Sequence, residues 1–329
     1  MAHGVFVDGV WQSQWYDTAA TGGRFVPTAA LFRNWVTPDG GPGPSGEGGF
    51  PAAGDRYHLY VSLACPFAHR TIIFRKLKKL EDVISLSVVE PVMGDQGWEF
   101  GSDGSVHDTV TGKTRLGEVY LLANPRYTGR VSVPVLWDKQ QRTIVSNESP
   151  EIIRMLNSAF AAFTDDRANY YPEVLRDEID AINDRVFRDV NTGVYRAGFA
   201  TTQEAYEDGF RDVFAALDWL EERLSRQRYL AGERITEADW RLFTTIVRFD
   251  AVYYSHFKCN RRRIADYSNL SNYLRDLFQI PGVAETVNME HIKRHYYMSM
   301  PTINPSRIVP LGPALDFSVG HDRGRFHGH

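Results

Sequence analysis

Tyr60-Val61-Ser62-Leu63-Ala64-Cys65-Pro66-Phe67-Ala68-His69-Arg70 joins two different periodicities, and the rest of the chain reads outward from that join. Before it, Tyr57-His58-Leu59-Tyr60-Val61-Ser62 alternates and ends in small residues, which predicts a strand. After it, Ile73, Phe74, Leu77 and Leu80 recur at helical spacing. Cys65 therefore falls where a strand becomes a helix. Pro66 suits the first helical position, where a missing N–H costs nothing. Unpaired N–H groups and the helix dipole favour negative charge at that point, so a thiolate is expected over a thiol. His69 and Arg70 would add to the effect if they reach back. The plain alternative is a buried, inert cysteine.

Ala68 stands where a dithiol redox motif would carry its second cysteine, so no disulfide forms within the motif. The other thiol, Cys259, lies far along the chain in a basic segment. If Cys65 is oxidised in turnover, the resolving thiol must come from outside, and glutathione is the obvious candidate.

Two cysteines in 329 residues argue against a disulfide framework and fit a reducing, cytoplasmic setting. Lys plus Arg number 37 against 41 Asp plus Glu, a balance that argues against nucleic acid or an anionic membrane as partner. No apolar run reaches the length of a membrane span, and the first residues lack the pattern of a signal peptide. Aromatic residues make up 13% of the chain, enough to fill a core and still line a binding site.

Residues 1–56 read as an irregular Gly/Pro-rich arm. Phe6, Trp11, Trp15, Tyr16, Phe25, Phe32 and Trp35 are too many aromatics for a free tail, so the arm is expected to pack on the body, loosest at 38–49. Residues 57–160 alternate between strands and helices. A strand is predicted over 83–89, followed by a long polar interval, 91–126, with no assigned element. In Val131-Ser132-Val133-Pro134-Val135-Leu136-Trp137-Asp138 the proline is compatible with a strand if Val133–Pro134 is cis at its entry. That geometry leaves the backbone of Val133 free to pair with an extended peptide. A short strand over 143–146 leads to Glu148-Ser149-Pro150, with Ser149 as N-cap of a helix over 152–160. Strand–helix–strand, then cis-Pro strand–strand–helix, is the thioredoxin-like plan.

Residues 170–300 read as helices, over 173–191, 202–226, from 236 onward and over 270–278. Thr236 and Asp239 form a capping box. Arg261-Arg262-Arg263 reads as a solvated helix end. Residues 301–329 read as a solvated tail, whose His321, His327 and His329 are at most adventitious metal ligands; no metal site is expected.

Cys65-Pro66-Phe67-Ala68-His69-Arg70, Val133-Pro134-Val135-Leu136-Trp137-Asp138 and Asn147-Glu148-Ser149 resemble the glutathione transferase superfamily. Within it, the aromatic arm, the 91–126 insertion and the stretches 248–260 and 291–297 are similar to the glutathionyl-hydroquinone reductases, the Xi class. The likeness covers about residues 1–315 and departs at Phe67, where Trp is common. It implies an α/β thioredoxin-like domain followed by an all-α domain, the glutathione transferase fold, in a homodimer. It implies glutathione as co-substrate and removal of glutathione from glutathionyl-hydroquinones through a mixed disulfide on Cys65. Tyr195, Tyr253 and Tyr296 are its candidate acids, each of which reads otherwise as an ordinary half-buried tyrosine. For glutathione it implies Val133 on the cysteinyl unit, Glu148 and Ser149 on the γ-glutamyl end, Arg130 on a carboxylate, with Arg126 competing, and Trp98 as cover. Two other functions fit the residues. One is a Cys-type, Omega-like thioltransferase or dehydroascorbate reductase; the other is a non-catalytic glutathione-fold binding module.

Overall fold

The computed structural model describes residues 4–101 and 106–326. In chain order its elements are β1 (Val5–Val7), β2 (Val10–Gln12), β3 (Tyr57–Val61), α1 (Pro66–Leu77), β4 (Ser85–Val88) and α2 (Leu116–Ala123). There follow β5 (Val135–Asp138), β6 (Thr143–Ser146), α3 (Ser149–Ser158), α4 (Arg176–Arg185), α5 (Gly193–Gly198), α6 (Gln203–Arg226), α7 (Glu237–Arg248), α8 (Ser268–Phe278) and α9 (Met289–Ser299). Two compact units result. The first joins residues up to Trp15 with Thr28–Ala168 and Thr286–Pro301; the second joins Tyr16–Pro27, Asn169–Glu285 and the chain from Thr302 on.

In the first unit, β3 is buried along its whole length, as a central strand must be. Among the described residues the sheet runs β4-β3-β5-β6, with β4 parallel to β3 and the β3–β5 and β5–β6 pairs antiparallel. The parallel pair needs a crossover, and α1 supplies it. The outer edge of β6 is covered by the arm: Asn34 N donates to Val145 O at 2.9 Å and Asn147 N to Phe32 O at 3.1 Å. The arm packs on the body as its aromatics predict, Phe32 lying against Tyr120 and Tyr127. The 38–49 stretch is tied in rather than loose, through Gly49 N to Gly40 O (2.8 Å) and Trp35 Nε1 to Ser45 Oγ (2.8 Å). Two elements are additions to the sequence reading. Val5–Val7 and Val10–Gln12 form a hairpin turned by Asp8 and Gly9, both at positive φ. Helix α2 interrupts the 91–126 interval, its start fixed by Glu118, whose carboxylate accepts from Arg115 N at 3.0 Å and Thr114 N at 3.2 Å.

His58 sits in the middle of this sheet, 1% exposed. Its Nδ1 lies 2.7 Å from Ser85 Oγ and its Nε2 2.9 Å from Ser87 Oγ. Ser87 donates its proton to Asp108 Oδ1 at 2.9 Å, so it accepts from His58 Nε2–H, and the network assigns that tautomer. Burial pushes the imidazole down to about 4 against an ordinary 6.5. The unfolded chain therefore binds a proton in the window from 6.5 to 4 that the folded chain refuses, and stability falls as pH falls through it. The gap corresponds to roughly 3 kcal/mol. Urea midpoints at pH 7 and pH 4.5 should differ accordingly, and His58→Gln should flatten that slope; an unchanged slope in the variant would remove His58 as its source.

In the second unit α4 to α8 pack together, with two π-turns, Val186–Asn191 after α4 and Phe249–Tyr253 after α7. The sequence predicts one unbroken helix over 173–191; the structure has a 3-10 turn, α4, and the first π-turn instead. Asn191 ties that turn to α7 by donating to Arg241 O (3.0 Å) and Thr245 Oγ1 (2.7 Å). Gly209 on α6 lets α5 approach closely, since a Cβ there would stand 2.7 Å from Ala197 N. The capping box on α7 is present, Asp239 accepting from Thr236 N at 2.7 Å and Thr236 Oγ1 at 3.0 Å.

Two terminal expectations change. The tail is largely exposed, but its end is docked: Arg323 is fully buried and donates to Leu224 O (2.7 Å), Gln227 O (2.5 Å) and Arg228 O (2.6 Å). Leu224 O is one of the carbonyls that the last turn of α6 leaves without a helical partner, and the other two follow the helix end. His321 lies 3.4 Å from Asp276, while His327 and His329 lie outside the described residues. Arg261–Arg263 precede a short 3-10 turn rather than ending a helix, and Arg261 and Arg263 are exposed and paired with Asp218 and Asp266. No helix of the described residues is long and apolar enough to cross a membrane, and no group of theirs could hold a metal ion.

Candidate active site

Cys65 is the N-cap of α1, half-buried, with Pro66 in the first helical position. Its carbonyl accepts from His69 N at 2.9 Å, so the first helical hydrogen bond is already made at the cysteine. The sulfur lies beside the start of a twelve-residue helix, where the helix dipole favours a thiolate. The Val133–Pro134 bond is cis, and Cys65 Sγ is 3.6 Å from Val133 O. The sequence-predicted pair of thiol and cis-Pro neighbour is thus brought together.

His69 and Arg70 make contacts of their own. His69 is buried, with Nε2 2.8 Å from Thr286 Oγ1. Arg70 is buried too; its guanidinium lies 5.1 Å from the centre of the Phe67 ring and Nη1 lies 3.4 Å from Ser149 Oγ. An aromatic at position 67 therefore shelves a buried cation, which Phe does as Trp would. That cation, reaching Ser149, stands at the start of α3, so a guanidinium and a helix N-terminus share one corner.

Ser149 itself is not the cap of α3. Glu148 is, its carbonyl accepting from Ile152 N at 3.0 Å, and Ser149 is the first helical residue with Pro150 second. The turn is set by Glu148 N donating to Ser146 Oγ at 3.1 Å. The sequence reading is one residue late because a serine before proline looks like a cap, whereas this serine turns its hydroxyl toward Arg70.

Trp98 is 6% exposed and stacks on His295 of α9, ring centres 4.9 Å apart and planes 21° apart. Tyr296, the next residue, is 1% exposed and meets the His295 ring edge-on at 5.2 Å. Arg130 directs its guanidinium to the carbonyls of Gly4 (3.3 Å), Gln14 (3.3 Å) and Trp15 (3.1 Å), pinning the arm. Arg126 pairs with Asp8 at the surface.

In the second unit Tyr195 and Tyr253 face each other at 6.0 Å within a cluster that includes Phe25, Phe199 and Phe257. Gly198 makes room for this cluster, since a Cβ there would collide with the Phe257 ring at 2.2 Å. Tyr195 follows the first π-turn and Tyr253 ends the second. A π-turn adds a residue to the helix and re-aims the side chains after it, a device common at functional sites. No spacing in the sequence signals these turns. The sequence reading gave Phe25 only a packing role in the arm and gave His295 no role of its own, since it sits in a run of charged and aromatic residues with no pattern. Cys259 is buried and its thiol is pushed up to about 12 by that burial, which rules it out as a nucleophile at neutral pH.

Residues 64–159 match the glutathione S-transferase N-terminal domain and residues 203–276 the C-terminal domain. The chain is 55% identical over 322 residues to the glutathionyl-hydroquinone reductase YqjG of Escherichia coli, covering 97% of this chain and 98% of that protein. The structure of YqjG with glutathione bound superposes with a TM-score of 0.89 over 97% of this chain and 99% of that one, at 52% identity. The glutathionyl-hydroquinone reductase PcpF of Sphingobium chlorophenolicum is 52% identical over 312 residues, 94% of this chain and 96% of its own. A Xi class transferase from Natrialba magadii superposes with a TM-score of 0.90 at 46% identity, covering 100% of this chain and 98% of that one. With its cysteine at the head of α1, its cis-Pro neighbour and identity on this scale along nearly its whole length, the chain belongs to the glutathione transferase superfamily and, within it, to the Xi class of glutathionyl-hydroquinone reductases.

Proposed function

We propose that this enzyme removes glutathione from glutathionyl-hydroquinones, with Cys65 as nucleophile and a second glutathione as reductant. The observation that carries the reading is the half-buried sulfur at the start of α1, 3.6 Å from the carbonyl next to the cis-proline. That carbonyl is the acceptor for the thiol proton. A bound glutathione would offer its cysteinyl N–H to the same oxygen, leaving the sulfur to ionise against the helix start.

The thiolate of Cys65 attacks the glutathionyl sulfur. The new bond is S–S; the bond that breaks joins sulfur to the ring carbon. The ring leaves with the electron pair and must gain a proton at that carbon, so the reaction calls for a keto form of the ring or an acid placed beside it. Tyr296, Tyr195 and Tyr253 are the proposed acids, supported by the burial of Tyr296 and Tyr253 and by the aromatic surroundings of Tyr195 and Tyr253. A second glutathione thiolate then attacks the glutathionyl sulfur of the mixed disulfide, freeing Cys65 and giving glutathione disulfide. The ring has gained two electrons and two glutathione sulfurs have lost them. Glu148, Ser149 and Trp98 are the proposed glutathione contacts, with Arg70 behind Ser149 supplying positive charge for a carboxylate. Arg130 is the weaker candidate, because its donors already hold the arm.

The test is stoichiometric. One hydroquinone and one glutathione disulfide should appear per glutathionyl-hydroquinone consumed, and the intact protein should gain the mass of one glutathione at Cys65 when the second thiol is withheld. Fast reduction of dehydroascorbate with no hydroquinone release would instead favour the Omega-like reading. Tyr296→Phe and Tyr195→Phe should each lower kcat by roughly 100-fold with glutathione binding intact; full rates in both would dismiss them as acids. The same reading makes the protein a homodimer of the cytoplasm, supported by family resemblance and by two cysteines that form no disulfide; sedimentation equilibrium tests the first point and fractionation of cells the second.

A further inference from the structure

Trp98 rides on a loop, and a loop needs something to hold it still. The loop folds on itself: Glu90 N donates to Glu99 O at 2.8 Å, and Gly94 and Gly97 bond each other at 2.9 and 3.1 Å. Gly97 takes a φ of +88° at the turn, which leaves Trp98 one residue from its tip. Nothing in that small ladder fixes the plane of the indole. Helix α9 does so from outside. His295 Nδ1 lies 2.9 Å from Pro91 O, and a carbonyl only accepts, so Nδ1 carries the proton. Anchored there, the imidazole lies flat on the Trp98 indole at 4.9 Å. One turn further, Ser299 Oγ accepts from Met93 N at 3.0 Å. The start of the same segment is tied to α1, one turn from Cys65, by the 2.8 Å contact between Thr286 and His69.

We infer that His295 is a positioning residue for glutathione, acting through Trp98: it fastens the loop with one ring nitrogen and sets the indole with its face. The inference rests on the reading of Trp98 as glutathione cover. Its physical content is preorganisation. An indole already held parallel costs nothing to order when the tripeptide binds, whereas a free one must lose its rotamers at that moment. Removing the imidazole also forfeits the stacking contact. Glutathione affinity should therefore fall while the chemical step at Cys65 does not.

The experiment is a cycle on the full chain with S-methylglutathione as probe, since it cannot form a disulfide. Dissociation constants are measured by calorimetry for wild type, Trp98→Ala, His295→Ala and the double variant, with kcat and KM alongside. Each single variant should bind roughly tenfold more weakly. The double variant should bind within about twofold of Trp98→Ala, because the second change has nothing left to act through. KM for glutathione should rise while kcat at saturation stays within about threefold. His295→Phe, which keeps the ring and loses the anchor, should recover part of the affinity, and it serves with Ser299→Ala if His295→Ala does not fold. Normal binding by His295→Ala beside weak binding by Trp98→Ala overturns the inference and spares the reading of Trp98. Losses that multiply in the double variant also overturn it. Normal binding by Trp98→Ala removes the reading of Trp98 and the inference with it.

Discussion

Cys65→Ala and Cys65→Ser should both lose turnover of a glutathionyl-hydroquinone by about a thousandfold or more. Alanine removes the nucleophile. Serine keeps a group of nearly the same size at the head of α1, yet a hydroxyl stays protonated where a thiol ionises. The two variants should be about equally inactive, and neither should take up the mass of a glutathione. S-methylglutathione should still bind both, because the partners proposed for it, Val133, Glu148, Ser149 and Trp98, are untouched. No other thiol can stand in: Cys259 is buried and its pKa is raised to about 12. Hydroquinone release by either variant at the native rate, followed by chromatography and mass spectrometry, would end the mechanism proposed for Cys65.

Asp239→Ala should produce a large loss of stability, about 4 kcal/mol, or a Tm lower by roughly 10 °C. Asp239 is fully buried and its carboxylate accepts from Leu230 N (2.8 Å), Thr236 N (2.7 Å), Thr236 Oγ1 (3.0 Å) and Tyr273 Oη (2.8 Å). One side chain thus opens α7, fixes the turn before it and secures α8. Alanine would strand four donors away from water, each worth about 1–3 kcal/mol when left unmade. Asp239→Asn should lie between, since its oxygen keeps some of the bonds while its amide brings a donor to a site that already has four. Thermal unfolding followed by circular dichroism measures both. The activity of surviving folded protein at low temperature should remain, because Asp239 touches none of the proposed reacting groups. A Tm within a degree or two of wild type would contradict this account of the box.

The elements that could be read from the sequence were those whose cause lies within a few residues. Cys65-Pro66 marks a helix start by its own chemistry, Val133-Pro134 marks an interrupted strand, and Thr236 with Asp239 closes a box over three residues. The apolar positions from Phe210 to Leu224 give α6 almost to its ends. What escaped had causes elsewhere. Each strand of the first hairpin spans three residues, too few for alternation to register, although Asp8-Gly9 was there to be noticed. Helix α2 has Leu116, Val119 and Tyr120 buried at helical spacing, but Gly117 within it disguised the pattern; that glycine is where Phe6 of the hairpin comes close, a Cβ there meeting its ring at 3.1 Å. The first π-turn is tied to α7 through Asn191, and neither π-turn carries a local mark. Arg323 looks like any charged residue in a tail until the carbonyls at the end of α6 are known. For the site, the residues of Cys65-Pro66 and Val133-Pro134 were placed by their own chemistry, whereas His295 becomes visible only when α9 is seen against the loop of Trp98.

The first unit is assembled from pieces that lie far apart along the chain, and its last piece, Thr286–Pro301, is separated from the others by the whole of Asn169–Glu285. During synthesis the strands, α1 and α3 leave the ribosome well over a hundred residues ahead of α9, going by the residue numbers of Ser158 and Met289. Throughout that interval a growing polypeptide exposes its cysteine without His69 having Thr286 to hold, and without His295 or Tyr296. The order of translation thus leaves the proposed site incomplete until residue 299 has emerged.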